Sequence, residues 1–124
     1  MSEKKFILIA EDDKFYAHIY KVKLGAEGYD VEVAGNGEDL LAQISRRKPD
    51  LVLLDLIMPI KDGFDTLTEL RKNKDLDNVK IIVMSSLSQK EDSERAHSLG
   101  ATDYVVKTEI SIQDMTNKIR QYLD

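Results

Sequence analysis

The chain contains no cysteine and no tryptophan, and only two prolines among its 124 residues. Without cysteine there can be no disulfide, thiolate zinc site, iron–sulfur cluster or cysteine nucleophile. No apolar run approaches the roughly 20 residues that span a bilayer. Met1-Ser2-Glu3-Lys4-Lys5 has no long apolar core behind it, as a secretory signal would. Basic residues are outnumbered 18 to 23, giving a net charge of −5, and no run of cations breaks that balance. Binding a phosphate backbone by counterion release needs clustered cations, so direct contact with nucleic acid is not expected. Nor is membrane insertion, and the cytoplasm is the expected compartment.

What is present describes a folded domain. Hydrophobic residues make up 42% and charged residues 33%, which is too apolar for a disordered segment. The length suits one core and one domain over residues 1–124. Phe6–Ala10, Val31–Ala34, Leu51–Leu54, Ile81–Met84 and Tyr104–Val106 are short apolar runs, the pattern of strands covered on both faces. Between them lie helical segments near Lys14–Glu27, Glu38–Arg47, Phe64–Lys72, Lys90–Leu99 and Ile112–Leu123. Ser88-Gln-Lys-Glu91 and Ser111-Ile-Gln-Asp114 have the spacing of helix-capping boxes. The first helix offers two candidate inner faces, Phe15/Ile19/Val22 and Tyr16/Tyr20/Leu24. The fourth offers the core little beyond Ala96 and Leu99, and so is expected to be marginally held. Strands alternating with helices predict a parallel sheet with helices on both faces. Ligands in such sheets sit beyond the carboxyl ends of the strands.

The residues at those ends carry the chemistry. Glu11-Asp12-Asp13 follows the first strand, Asp55 the third, Ser85-Ser86 end the fourth, and Lys107 follows the fifth. Carboxylates within about 4–6 Å of one another repel until one takes a proton or a cation joins them. A hard divalent ion that keeps some of its waters, Mg²⁺, suits all-oxygen ligands. A carboxylate on such a metal can attack phosphorus, giving an aspartyl phosphate. A hydroxyl and an ammonium would then hold the phosphoryl oxygens. Each residue alone reads as a turn former, a cap or a surface charge; four strand ends of one sheet together do not.

The sequence resembles the receiver domains of two-component response regulators over nearly its whole length. The matching pieces are Asp12-Asp13, Asp55-Leu-Ile-Met-Pro-Ile-Lys-Asp-Gly63, Ser85, Gly100-Ala-Thr-Asp-Tyr104 and Lys107. The resemblance implies a doubly wound, flavodoxin-like (βα)5 fold with strand order 2-1-3-4-5. It implies that Asp55 is the phosphoacceptor, and that Asp13, Asp55 and the Ile57 backbone carbonyl hold Mg²⁺. Asp12 is expected to act mainly through a metal-bound water. Ser85 and Lys107 are expected to contact the phosphoryl group, with Tyr104 as an aromatic switch coupled to Ser85. The implied donor is a histidine kinase or phosphotransfer protein, and the implied target a protein that reads helix 4, strand 5 and helix 5. Such a chain is a stand-alone switch with catalytic character rather than a metabolic enzyme. Ile57 and Leu87 are expected to overhang the phosphate and slow its loss. Glu11 reads equally as a solvated carboxylate or as a second-sphere group at the metal, and His18 and His97 as surface imidazoles. Thr108 stands where receivers commonly carry proline after the site lysine, so a trans Lys107–Thr108 bond is expected. Two other readings stay open here. One is a phosphorylation-independent interaction module of the same fold. The other is a Mg²⁺-dependent phosphohydrolase working through an aspartyl intermediate.

Overall fold

A computed structural model describes residues 4–124. Five parallel strands, β1 (Phe6–Ala10), β2 (Asp30–Ala34), β3 (Leu51–Leu54), β4 (Lys80–Ser85) and β5 (Asp103–Val106), form one sheet in the order β2-β1-β3-β4-β5. Five helices connect and follow them: α1 (Lys14–Ala26), α2 (Gly37–Arg46), α3 (Gly63–Lys72), α4 (Lys90–Ser98) and α5 (Ile112–Leu123).

Strand periodicity divides the core in two. Phe6, Leu8, Ala10, Val52, Leu54, Ile81 and Val83 face α2, α3 and Ala96 of α4. Ile7, Ile9, Leu51, Leu53, Ile82 and Met84 face α1 and α5. Each fully buried Leu or Ile removed from water contributes about 2 kcal/mol, so both sheet faces must be covered, and they are.

On α1 the Tyr16/Tyr20/Leu24 face turns inward, and Phe15 and Val22 are left exposed at 67% and 58%. Ser111 caps α5 as its spacing predicts, accepting from the Asp114 N–H at 3.0 Å. Ser88 does not cap α4. That helix begins after Gln89 with no side-chain cap, so the Ser88–Glu91 spacing is no capping box. Within α4 only Ala96 is buried, as its composition foretold. Gly28 (φ 98°) and Gly100 (φ 107°) end α1 and α4 in the left-handed region, where an L side chain is strained.

Ile60 also has a positive φ, 71°, and is 75% exposed, although it is β-branched. Such a residue pays roughly 1–2 kcal/mol for that conformation, which Asn tolerates better. Ile60→Asn is therefore expected to raise stability by about 1 kcal/mol. A urea midpoint that falls would show that Ile60 packs where its exposure says it does not.

Candidate functional site

Register brings the chemistry to one edge. Ala10 lies opposite Leu54 across the β1–β3 pair, so Glu11 and Asp55, the next residues, leave the sheet side by side. The Asp55 N–H donates to the Ala10 carbonyl at 3.0 Å, extending the ladder one step past both strands. Ser85 pairs with Val106 at the ends of β4 and β5, which delivers Lys107 to the same edge.

Glu11, Asp55, Ser85 and Lys107 are all buried. Lys107 Nζ donates to Asp55 Oδ2 at 3.1 Å and makes a short contact with Glu11 Oε1. The second Glu11 oxygen accepts from the Asp13 N–H at 3.1 Å. The Ile57 N–H reaches back to Asp55 Oδ1 at 3.3 Å, folding the following loop over the carboxylate. Carboxylate oxygens of Glu11, Asp12 and Asp55 lie within 4.8 Å of one another, with Asp12 facing solvent. Three acids against one lysine is a donor set that fits a hard divalent cation.

This geometry corrects the expected acid pair. Asp13 is not in the cluster. Its carboxylate caps α1, accepting from the N–H groups of Phe15 at 2.9 Å and Tyr16 at 3.4 Å. Glu11 takes the inner position instead, because β1 stops at Ala10 and the first residue beyond it turns into the site.

The Leu87 side chain is half-buried and packs against the core on the α2/α3 side. Leu87 serves the site through its backbone: its N–H donates to Ser85 Oγ at 3.1 Å, and its carbonyl accepts from the Tyr104 hydroxyl at 2.6 Å. Ser85 and Tyr104 are thus joined through the backbone of one residue. Ile57 is 54% exposed beside the carboxylate it bonds. His18 and His97 are exposed on α1 and α4. No cis peptide bond occurs among the described residues, so Lys107–Thr108 is trans, and a single 3-10 turn, Lys107–Glu109, follows β5.

Burial pushes Glu11 up from an ordinary 4.5 to about 7, against the pull of Lys107 and the Asp13 N–H; the Asp55 charge adds to the rise. Burial pulls Lys107 down, but its bond to Glu11 and the charge of Asp55 leave it raised. In metal-free protein, folded Glu11 keeps a proton that the unfolded chain has released, across the window from about 4.5 to about 7. The unfolded state binds fewer protons there, so this group's contribution to stability falls as pH rises through the window. Glu11→Gln should remove that slope, and its gain over wild type should grow between about pH 5 and pH 7. Urea midpoints with a chelator present would check this; a gain that shrinks with pH would contradict it.

Residues 7–120 match the model of the response regulator receiver domain. A probable transcriptional regulator ycf27 of Porphyridium aerugineum is 39% identical over 121 residues, covering 98% of this chain and 49% of the relative. The chain thus spans about half the length of the curated relatives it matches. Among solved structures, a CheY-like receiver domain protein of Methanospirillum hungatei superposes with a TM-score of 0.90 at 30% identity, covering 98% of this chain and 95% of that one. The BeF3-activated N-terminal receiver domain of Klebsiella pneumoniae RstA gives 0.87 at 31% identity, covering 96% and 98%.

Proposed function

The chain belongs to the response regulator receiver domain family of two-component signalling, and from that premise we propose that Asp55 is its phosphoacceptor and that Mg²⁺ is its cofactor. The observation that supports this most is the buried Asp55 carboxylate, held by Lys107 at 3.1 Å beside two further acids. Glu11 has both oxygens engaged, by Lys107 and by the Asp13 N–H. Asp12 and Asp55 are therefore the side chains that would hold the ion, with the Ile57 carbonyl as a third oxygen. Bound Mg²⁺ supplies positive charge to a cluster otherwise short of it.

The transfer itself is a displacement. An Asp55 oxygen forms the bond to phosphorus while the bond to the leaving group breaks, and the leaving group departs with the electron pair. Lys107 follows the charge to the phosphoryl oxygens, and the Ser85 hydroxyl turns its proton toward them. Ser85 then loosens its hold on the Leu87 N–H, and Leu87 carries the change to Tyr104 and α4. We place the readout on α4, β5 and α5, taken up by a protein surface. The phosphodonor in this reading is a histidine kinase or phosphotransfer protein, and residues 1–124 act as one receiver domain.

In this reading the exposed Ile57 side chain is hydrocarbon at the mouth of the acceptor site, with no group to hold an in-line water. Slow loss of the phosphoryl group follows, and Ile57→Asn should speed it about threefold to tenfold. Decay unchanged in the variant would remove Ile57 from this role.

The experiment for the whole reading is incubation with acetyl phosphate and Mg²⁺, followed by intact-mass and peptide mapping. One base-labile phosphoryl group on Asp55 is expected, with negligible turnover of a generic phosphoester. No uptake would favour a phosphorylation-independent module; steady phosphoester turnover would favour a phosphohydrolase.

A further inference from the structure

The Lys107 ammonium has three hydrogens, and two of them point to Glu11 and Asp55. On another side lies the ring of Tyr16, whose centroid is 4.6 Å from Nζ. That is within the roughly 6 Å at which a cation is drawn to an aromatic face, and the pair is mostly shielded from water. Tyr16 is half-buried and packs against the α1/α5 side of the core.

The placement of Tyr16 is secured from two directions. Its N–H donates to the Asp13 carboxylate that caps α1, at 3.4 Å. Phe15 meets its ring edge-on, with centroids 5.9 Å apart and planes at 82°. The backbone that carries Lys107 is less firmly held. It enters a single 3-10 turn with no side-chain cap, and Thr108 and Glu109 after it are exposed. A lysine has considerable rotamer entropy to lose on being fixed. Two carboxylates alone fix it only while both stay as they are, and phosphoryl transfer changes one of them.

An aromatic face attracts the ammonium without specifying where its N–H bonds point. We propose that Tyr16 is a positioning residue for phosphoryl transfer: its ring keeps the Lys107 ammonium at Asp55 while the lysine's hydrogen bonds pass from carboxylate to phosphoryl oxygen. This rests on Asp55 being the acceptor. The hydroxyl of Tyr16 has no part in it, so phenylalanine serves as well and leucine does not.

The test compares Tyr16→Phe and Tyr16→Leu with wild type in two measurements. The first is the rate of phosphoryl uptake from acetyl phosphate with Mg²⁺, by intact mass. Tyr16→Phe should stay within about twofold of wild type, and Tyr16→Leu should be about fivefold to tenfold slower. The second is the chemical shift of the Lys107 ε-methylene protons, which ring current moves upfield in wild type and Tyr16→Phe. In Tyr16→Leu they should return to the ordinary lysine position. Wild-type uptake in Tyr16→Leu, unmoved ε-protons, or equal slowing in both variants would each overturn the proposal. Absence of uptake by wild type would instead count against the acceptor reading, and the ring-current shift would still report on the contact.

Discussion

Asp55→Asn is expected to lose phosphoryl uptake from acetyl phosphate by about three orders of magnitude or more. An amide is a poor nucleophile toward phosphorus, and among the described residues no neighbour is placed to substitute. Glu11 is committed to Lys107 and the Asp13 N–H, and Asp12 lies toward solvent. The variant should nevertheless melt at or above the wild-type temperature without Mg²⁺, since it removes one charge from a crowded carboxylate cluster. That pairing separates chemistry from folding, because a merely damaged protein would lose both. His18→Ala and His97→Ala, on exposed helix positions, should accept phosphate normally. A phosphoryl group found on the intact Asp55→Asn protein would refute the assignment.

The second large effect is structural. Gly63→Ala should cost about 3 kcal/mol and slow phosphorylation with it. A Cβ at Gly63 would fall 2.3 Å from the Asp55 carbonyl oxygen and 2.5 Å from Leu56 Cα, both backbone atoms that cannot rotate away. The Gly63 N–H also donates to the Leu56 carbonyl at 2.8 Å, tying the start of α3 to the end of β3. Making room means moving α3 off the peptide that carries Asp55. Gly25→Ala is the contrast: nothing lies within 4 Å of its missing Cβ, and the residue is helical. There the change should add about 0.5–1 kcal/mol. Chemical denaturation of both variants gives the answer, and a neutral Gly63→Ala would mean that α3 adjusts more freely than this contact allows.

These residues also show what the sequence makes legible. The five strands are plain because each is a short, mainly apolar run, although the edge strands β2 and β5 are only partly buried and β2, β4 and β5 extend onto flanking polar residues at Asp30, Lys80, Ser85 and Asp103. Asp55, Ser85 and Lys107 are legible because chain order puts them at strand ends; the structure sets Lys107 against Asp55, with Ser85 ending its strand on the same sheet edge. The acid pair was harder. Asp12-Asp13 reads as the natural di-acid, yet Asp13 is taken by the helix that starts after it, and Glu11 turns inward. A signal for Glu11 was present. Like Asp55 and Lys107, it is the first residue past its strand. The inner face of α1 was not legible, because two apolar stripes compete and only packing against α5 and the sheet decides between them. The contact between Tyr16 and Lys107 spans most of the chain, and no local pattern announces it.

Amide proton–nitrogen correlation spectra, taken with Mg²⁺ before and after addition of acetyl phosphate, test the proposed switch most directly. Phosphorylation of Asp55 should move the resonances of Ser85 to Leu87, Tyr104 and Lys107, with changes spreading into α4. Mg²⁺ alone should perturb chiefly Glu11 to Asp13 and Asp55 to Ile57. The Asp55→Asn protein should show the Mg²⁺ changes at most and none on adding acetyl phosphate. A wild-type spectrum that takes up the phosphoryl group yet leaves the β4–α4 loop and Tyr104 unmoved would contradict a switch at this site.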